Sequence, residues 1–256
     1  MNEAVLEVAA NSVASALAAE AGGAARVELC SALELGGLTP SHAAIAIACE
    51  RLRIPIHVLI RPRVGDFVFD DLECEVMQRD IETCKTLGCA GVVLGVLTVE
   101  RDVDVPRCRA LMNVAGEMSM TFHRAFDFAR DPERALEAIL ALGCDRLLTS
   151  GQQADALAGA PLIRKLIGQA RDRITIMPAG GITAQNIVAI ANATGAREFH
   201  ASAKRRITTR MDHRLPRLGE MDDAHWQTDA TEVRARVDPL RTLSSSPHPP
   251  RRNPSQ

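Results

Sequence analysis

The sequence has few aromatic residues, and the basic end of the chain has almost none. The 256 residues include six Phe, one Trp and no Tyr. From Ala203 onward there are 11 Lys/Arg against 7 Asp/Glu, although the formal net charge of the whole chain is −2. Sites for single-stranded nucleic acid combine positive charge with aromatic stacking, and a nearly neutral chain has no global attraction to nucleic acid or anionic lipid. We therefore expect neither partner.

Disulfide motifs and long apolar runs are also missing. No CxxC occurs, the cysteine count is odd, no signal peptide opens the chain, and no apolar run approaches the ~20 residues of a membrane span. This pattern predicts free thiols in a reducing, cytoplasmic compartment. Four cysteines are expected on helices or at a helix end and are interpreted as packing thiols: Cys49, Cys84, Cys89 and Cys108.

Eight short apolar runs, each followed by a helical pattern, organise the chain. Their starts lie 21 to 35 residues apart, which is the period of a βα unit. Eight such units predict a single-domain (β/α)₈ TIM barrel, an α/β fold, with an irregular C-terminal tail. The predicted strands are Val5–Val8, Arg26–Cys30, Ile56–Ile60, Gly91–Gly95, Met118–Phe122, Arg146–Thr149, Ile174–Met177 and Glu198–His200.

Capping residues and glycines mark the predicted helix ends. Pro40 is expected at the first position of the second helix, and a last helix is expected from about Asp229 to Val237. The barrel core is assigned to residues 1–202, a divergent segment that completes or caps it to 203–243, and a disordered tail to 244–256. The other helix predictions are Asn11–Ala21, Asp70–Gly88, a helix that opens at Asp131–Pro132 and ends at Gly143, and one that starts at Thr183.

Polar side chains gather where the predicted strands end. Ligands of (β/α)₈ barrels bind at this face, and buried polar groups are costly unless they are paired. Together these side chains could bind an anion or transfer protons. The alternatives remain that Glu7 and Glu28 pair with Arg61 or Arg124 inside the barrel, and that the histidines are structural. The candidate catalytic residues are Glu7, Glu28, Arg61, His123, Arg124, Asp127 and His200.

A pair of glycines after the seventh strand suggests an anion site. Gly180 and Gly181 follow an apolar strand and precede the helix expected at Thr183, so backbone N–H groups and a helix N-terminus would face the ligand. Ser150, Gly151 and Ser202 follow strands six and eight and are added to this predicted site. The alternative is that the glycines only permit close packing.

Two further features concern the surroundings of the polar groups. All six phenylalanines fall near strands three, five or eight, where they could form a dry wall or simply pack loops. Cys30 alone among the cysteines points toward the barrel mouth. A soft metal such as Cu(I) needs two or three thiolate, thioether or imidazole donors, which Cys30 and a nearby histidine would supply only if they converge.

Several segments, taken together, resemble the CutC copper homeostasis family. Arg26–Cys30, Gly36–Ser41 and Ile60–Arg63 carry the resemblance in the first half of the chain, and Thr121–Asp127, Leu148–Gly151 and Phe199–Ala203 in the second. The resemblance covers about residues 4 to 203. It implies a cytosolic (β/α)₈ barrel, often oligomeric, that takes part in copper homeostasis and binds copper.

The chain departs from the family pattern at two positions. Family members commonly carry cysteine after the strand-one glutamate and some carry it after the strand-eight histidine, whereas this chain has Ala9 and Ala201. Both changes remove soft donors from the barrel mouth. The segment from Met211 to Arg214 also has His213 where the family has tyrosine.

Three functions remain open. The chain could be a copper homeostasis protein that binds Cu(I) through Cys30 and neighbouring imidazoles. It could instead be an enzyme that acts by acid/base chemistry on a small anionic or phosphorylated metabolite, in which case proton abstraction, isomerisation and aldol-type cleavage use similar groups. It could also be a scaffold whose chemistry is lost. A copper ion or a small anion is thus the expected ligand, and a homo-oligomer the expected assembly.

Overall fold

The computed structural model describes residues 4–212 and 223–245 and confirms the predicted barrel. Eight parallel strands pair in the order β7-β6-β5-β4-β3-β2-β1-β8. A bridge between Ala179 and His200 joins the two ends of that order. The strands are β1 (Val5–Ala10), β2 (Arg26–Leu29), β3 (Ile56–Leu59), β4 (Gly91–Leu94), β5 (Ser119–Phe122), β6 (Arg146–Thr149), β7 (Thr175–Pro178) and β8 (Glu198–Ala201).

Helices follow the first seven strands, and most begin at a capping side chain. The clearest case is Asp70, whose side chain accepts from the Glu73 N–H while the Glu73 side chain accepts from the Asp70 N–H, a reciprocal capping box. Gly143 ends another helix in the left-handed conformation, as predicted. The helices are α1 (Val13–Ala21), α2 (His42–Arg51), α3 (Asp71–Thr86), α4 (Val105–Ala115), α5 (Pro132–Leu142), α6 (Ala160–Ala170) and α7 (Ile187–Thr194).

Two predicted helix starts are wrong. Pro40 precedes α2, because Ser41 is its N-cap and accepts from the Ala44 N–H. Thr183 belongs to a turn rather than to α7. The Asn186 side chain accepts from the Thr183 N–H, and the helix begins only at Ile187. The N-terminus of α7 is therefore one turn removed from the glycine pair.

After β8 the chain adds two antiparallel strands, β9 (Lys204–Ile207) and β10 (His225–Thr228), and the helix α8 (Ala230–Ser245). The last helix is longer than predicted and continues past Pro239, because Leu240 is fully buried and Leu243 also packs on the core. It enters the predicted tail at residues 244 and 245. The rest of that tail, 246–256, lies outside the described residues, as does His213.

The inside of the barrel is unusually polar. Side chains alternate along each strand, so Leu6, Val8 and Val27 join the main core that includes the helices. Two small apolar clusters, one with Leu59 and one with Leu148, stand apart from that core. Barrels of this type are usually filled by branched apolar layers.

Ion pairs across the barrel show that charged side chains replace much of that filling. Arg26 on β2 and Arg146 on β6 both donate to Glu198 on β8, each at 2.8 Å. Neither donor strand is adjacent to β8, so these contacts must cross the interior. In the described part of the chain, no helix is both long and apolar enough to cross a membrane.

Candidate functional site

A cavity of about 490 Å³ opens at the C-terminal ends of the barrel strands. It brings together eight residues that the sequence placed in the site. Cavities of this size and position are the usual ligand sites of the fold. The eight residues are Glu28, Arg61, His123, Arg124, Gly180, Gly181, His200 and Ser202.

Glu7 lies behind the cavity as a fixed negative charge. It is 1% exposed, pairs with the Arg26 guanidinium and contacts His200, with 2.7 Å between its Oε1 and the histidine Nδ1. Burial alone would raise its pKa, but the His200 hydrogen bond and the positive charge of Arg26 outweigh burial and lower it. Its partner is Arg26 and not Arg61 or Arg124, because the strand register sets Arg26 directly opposite Glu7.

Glu28 is the unpaired carboxyl of the site. It is 5% exposed, and its buried Oε2 has no hydrogen-bond partner among the described residues. Burial raises the pKa of Glu28 to about 7; the negative charge of Glu7 acts in the same direction, and His200 and Arg26 oppose it. A carboxyl with a pKa near neutrality can both accept and return a proton.

His200 lies between the two glutamates, which favour its charged form. Burial opposes the charged form, but Glu28 and the hydrogen bond to Glu7 raise the pKa of His200 above its ordinary value. Ligand atoms of Glu7, Glu28 and His200 all lie within 4.8 Å of one another. The site therefore couples three titratable groups. Of these, Glu28 has a buried oxygen, Oε2, that no described residue contacts through a hydrogen bond.

His123 is a neutral imidazole. Burial, reinforced by the positive charge of Arg61, lowers the pKa of His123 to about 3. Its Nδ1 accepts from the Ala125 N–H at 3.2 Å, so the ring proton resides on Nε2. That Nε2 is buried without a partner, and the ring packs against Phe67 with 5.0 Å between centroids. A neutral N–H donor is thus available to a ligand in the cavity.

Phe67 is the aromatic residue that forms a dry side of the site. Besides His123, it contacts the Arg61 guanidinium, which lies 5.0 Å from the ring centroid. Phe128 packs on Phe67 from outside. Phe67 belongs to the same apolar core as Phe69, Phe122, Phe126 and Phe199, but of these described residues it alone lines the cavity. The predicted aromatic wall is therefore largely one phenylalanine.

Arg61 both organises loops and lines the cavity. Its Nη1 donates to the carbonyls of Leu35 and Gly37, and its Nη2 donates to the carbonyl of Gly65. These contacts tie the loop after β2 to the loop after β3. Two of the five N–H groups are left after these three bonds, and the one on Nε is buried without a partner among the described residues.

Arg124 is held at the rim by Asp127 and Ser150. Its Nε donates to Asp127 Oδ2 at 2.7 Å, and its Nη2 donates to Ser150 Oγ at 2.9 Å. Asp127 also accepts from the hydroxyls of Thr149 and Ser150. Asp127 and Ser150 thus act on the site by positioning Arg124, which is itself partly exposed.

The glycine pair has both a packing role and a place in the cavity. Gly180 and Gly181 have φ values of +92° and +67°, which L side chains rarely adopt. A Cβ on Gly181 would come within 2.7 Å of the Asp155 Cβ. Gly151 serves packing alone, since a Cβ there would meet the Gly159 carbonyl oxygen at 2.3 Å.

The candidate residues chosen from the sequence leave out several charged residues of the site. Lys204 on β9 and Arg236 on α8 line the cavity, so the segment after β8 completes its rim. Arg26 and Arg146, which pair with glutamates inside the barrel, follow the inward alternation of their strands, and this was the signal available in the sequence. His57, 3% exposed and with its pKa lowered to about 4 mainly by burial, lies deeper in the same interior.

Five predicted residues lie behind the cavity rather than among the described residues that line it: Glu7, Cys30, Asp127, Ser150 and Gly151. Cys30 packs with Leu33, Leu59 and Val93, and burial raises the pKa of its thiol well above the ordinary range. Ala9 and Ala201, where the family pattern carries cysteine, do line the cavity.

The donor set at the mouth does not match Cu(I). Among the described residues, the one group of three close metal-ligating side chains is Glu7, Glu28 and His200, which offers two oxygens and one nitrogen. Cu(I) selects thiolate and thioether donors. Glu7 is moreover already engaged by Arg26. Copper binding through Cys30 stays a prediction.

Comparison with known proteins identifies the family. The CutC family model matches residues 4–205. A CutC family protein from Xanthomonas campestris pv. campestris is 53% identical over 237 residues, which cover 93% of this chain and 99% of that protein. One from Chromobacterium violaceum is 50% identical over 236 residues, with 90% and 96% covered.

A solved structure agrees. The crystal structure of a candidate copper homeostasis protein CutC from Streptococcus agalactiae is 32% identical and superposes with a TM-score of 0.75, covering 78% of this chain and 98% of that one. The resemblance noted in the sequence is confirmed: the chain belongs to the CutC family.

Proposed function

We propose that the cavity is the active site of an enzyme that transfers a proton at a carbon next to a carbonyl group of a small anionic metabolite. The observation that carries the proposal is the unpartnered Glu28 carboxylate, which lines the same cavity as the neutral His123 imidazole. A base and a neutral hydrogen-bond donor with separated pKa values are the two groups that this chemistry needs.

Glu28 takes the role of the base. Its pKa of about 7 lies near the value at which a general base is both deprotonated and strong enough to accept a proton at neutral pH. His200, held by Glu7, balances the negative charge of Glu28 before the transfer. When Glu28 accepts the proton, the carboxyl becomes neutral, which its buried surroundings favour.

His123 takes the role of the electrophile. Proton abstraction next to a carbonyl places negative charge on the carbonyl oxygen, and a donor aimed at that oxygen stabilises the transition state. The Ala125 N–H fixes the ring tautomer with its proton on Nε2. Since the His123 pKa is about 3, the ring stays neutral throughout the physiological range.

The rim cations select an anionic substrate. Arg61, Arg124, Lys204 and Arg236 line the cavity from four different segments of the chain. Gly180 lets the loop after β7 approach Arg124 closely, because a Cβ at this position would lie 3.6 Å from the Arg124 Nη1. When these rim cations bind the carboxylate or phosphate group of the substrate, its reacting carbon lies nearer to Glu28, deeper in the cavity.

Deuterium exchange tests the proposal without knowledge of the product. The full chain is incubated in D₂O with a panel of small carboxylated and phosphorylated ketones and aldehydes, and mass spectrometry measures deuterium incorporation. We expect exchange in at least one compound, loss of it in Glu28→Gln, and no loss in Glu82→Gln, an exposed glutamate on α3. Exchange by Glu28→Gln at the wild-type rate would contradict the proposal, and no exchange in any compound would favour a scaffold.

Copper homeostasis is the second candidate, and the Streptococcus relative carries that description. Competitive titration of the full chain with Cu(I) tests whether the mouth contributes, by comparing the wild type with Cys30→Ser. Equal affinities would remove Cys30 as a ligand. The cytoplasmic location and the homo-oligomer implied by the family resemblance likewise stay predictions.

A further inference from the structure

Arg61 is a buried cation of the cavity that has no acidic partner. It is 6% exposed, and in the described part of the chain its guanidinium donates hydrogen bonds only to main-chain carbonyls. By contrast, Arg124 and Arg236, which also line the cavity, pair with Asp127 and Glu232 respectively. Because a buried charge without a counter-charge is costly, we expect a negatively charged ligand to complete the Arg61 site.

The charged groups near Arg61 do not balance it. Burial lowers the pKa of Arg61, and the positive charge of Arg63 acts in the same direction. The two carboxylates of this segment, Asp66 and Glu73, are both engaged by Arg63. A ligand that brings a negative charge to the cavity therefore meets a guanidinium whose charge the protein has left uncompensated.

The hydrogen bonds that Arg61 already makes favour a carboxylate over a phosphate. The carbonyls of Leu35, Gly37 and Gly65 take three of its five N–H groups. The guanidinium also lies over the Phe67 ring, which covers one of its faces and leaves its edge, where the N–H groups are, for a ligand. Two N–H groups in one plane match the two oxygens of a carboxylate, whereas a phosphate group has three oxygens to satisfy.

Phe67 also places Arg61 beside His123. The Arg61 guanidinium carbon and the centre of the His123 ring each lie 5.0 Å from the centre of the Phe67 ring, and all three residues line the cavity. The positive charge of Arg61 reaches His123, whose pKa it helps to lower. A ligand whose carbonyl oxygen accepts from His123 therefore meets Arg61 with a group attached close to that carbonyl.

We propose that the substrate is a 2-oxo acid, whose carboxylate binds Arg61 while the oxygen of the adjacent carbonyl accepts from the His123 Nε2–H. This inference rests on the proton transfer proposed above. Glu28 takes a proton from the carbon on the far side of the carbonyl. The electron pair of that C–H bond forms a carbon–carbon double bond, and the carbonyl electrons move onto the oxygen, where the His123 donor stabilises the charge. Return of the proton restores the acid, so no further reactant is needed.

Two isomeric oxo acids test the substrate class in the wild-type chain. 2-Oxopentanoate and 4-oxopentanoate have the same composition and charge, but only the first has its carbonyl next to the carboxylate. We expect the full chain to exchange deuterium into 2-oxopentanoate at least about tenfold faster than into the other isomer, once the rate without protein is subtracted. Equal rates for the two isomers would overturn the 2-oxo acid and leave the proton transfer standing.

Calorimetric titration with oxalate separates binding of the acid from proton transfer. Oxalate has two adjacent carboxylates, which resemble the carboxylate and the enolate of a 2-oxo acid. Wild type should bind oxalate more tightly than succinate, whose carboxylates lie further apart. Arg61→Lys should weaken oxalate binding at least about tenfold, because an ammonium lacks the planar fork of a guanidinium. Arg63→Lys, two residues along the same loop but paired with Asp66 and Glu73, is the matched control and should bind like the wild type.

The two measurements fail in different ways. Oxalate affinity that is unchanged in Arg61→Lys, or that does not exceed the affinity for succinate in the wild type, would overturn the 2-oxo acid. Oxalate binding that depends on Arg61, without deuterium exchange into any oxo acid, would contradict the proton transfer and keep the carboxylate site. The isomer and succinate comparisons use the wild type, so they decide the question even if Arg61→Lys folds poorly.

Discussion

Both halves of the barrel interior contain charged and polar side chains, but the two halves differ in how these side chains are paired. In the half where the strands begin, Arg26, Arg146 and Glu198 form a closed set of ion pairs. In the half where they end, Glu28, Arg61 and His123 line the cavity, and each keeps a buried polar atom without a partner among the described residues, as His57 does deeper in the interior. Buried polar groups are normally satisfied, so we interpret the ion pairs as scaffold and the unpartnered groups that line the cavity as the place where a ligand supplies the missing partners.

The largest expected effect lies in the paired half. Arg26→Met would leave the buried Glu7 and the half-buried Glu198 without their common partner, and breaking a buried pair in this way costs about 3–5 kcal/mol. Urea unfolding monitored by circular dichroism measures the change. Arg79→Met removes an arginine from an exposed pair with Glu75 and should cost less than about 1 kcal/mol. Equal effects of the two changes would show that the interior network does not stabilise the barrel.

The next effect falls on activity. His123→Gln removes the fixed Nε2–H donor and should slow deuterium exchange about 10²- to 10³-fold. The variant should also lose about 1–3 kcal/mol of stability, because the buried Ala125 N–H loses its acceptor, so the exchange rate is measured on the folded fraction. Since the His123 pKa is about 3, the wild-type rate should fall only as Glu28 is protonated below about pH 7. If the exchange rate instead changed with a pKa near 3, His123 would have a different role.

Glu28→Gln tests the comparison through the pH dependence of stability. The folded-state pKa of Glu28, about 7, exceeds the ordinary value of 4.5, so the folded protein binds more protons between these pH values and its stability falls as pH rises. Glutamine stays neutral beside Glu7, His200 and Arg26. The substitution should therefore raise the free energy of unfolding, by an amount that grows between pH 4.5 and 7 and levels off above pH 7 at roughly 1–3 kcal/mol. Denaturant unfolding at pH 5 and pH 8 measures it; a larger gain at pH 5 would contradict the raised pKa.

The sequence was sufficient to predict the barrel and eight of the residues at its mouth, because eight βα units bring their strand ends together whatever the loops do. The sequence did not show which charged side chains pair with one another. Glu7 and Glu28 look alike in the sequence, because both are inward-facing glutamates on adjacent strands. The strand register nevertheless sets Arg26 opposite Glu7, and the Glu28 Oε2 is left without a partner among the described residues. Lys204 and Arg236 were not among the candidate residues because they follow β8, beyond the repeating pattern, and they reach the rim only through β9 and α8.

The smallest expected effect concerns this late segment. Lys204 lines the cavity, and its ammonium lies 4.8 Å from the centre of the Trp226 ring, so it is already partly balanced by a contact within the segment. Lys204→Met should raise the KM for an anionic substrate a few-fold and leave kcat unchanged, because the charge binds ground state and transition state alike. The effect should shrink as salt is added. Arg206→Met, on the same strand but absent from the cavity lining given by the described residues, provides the matched control. A fall in kcat instead would place Lys204 in the chemistry, and the division between an anion-holding rim and a reacting interior would fail.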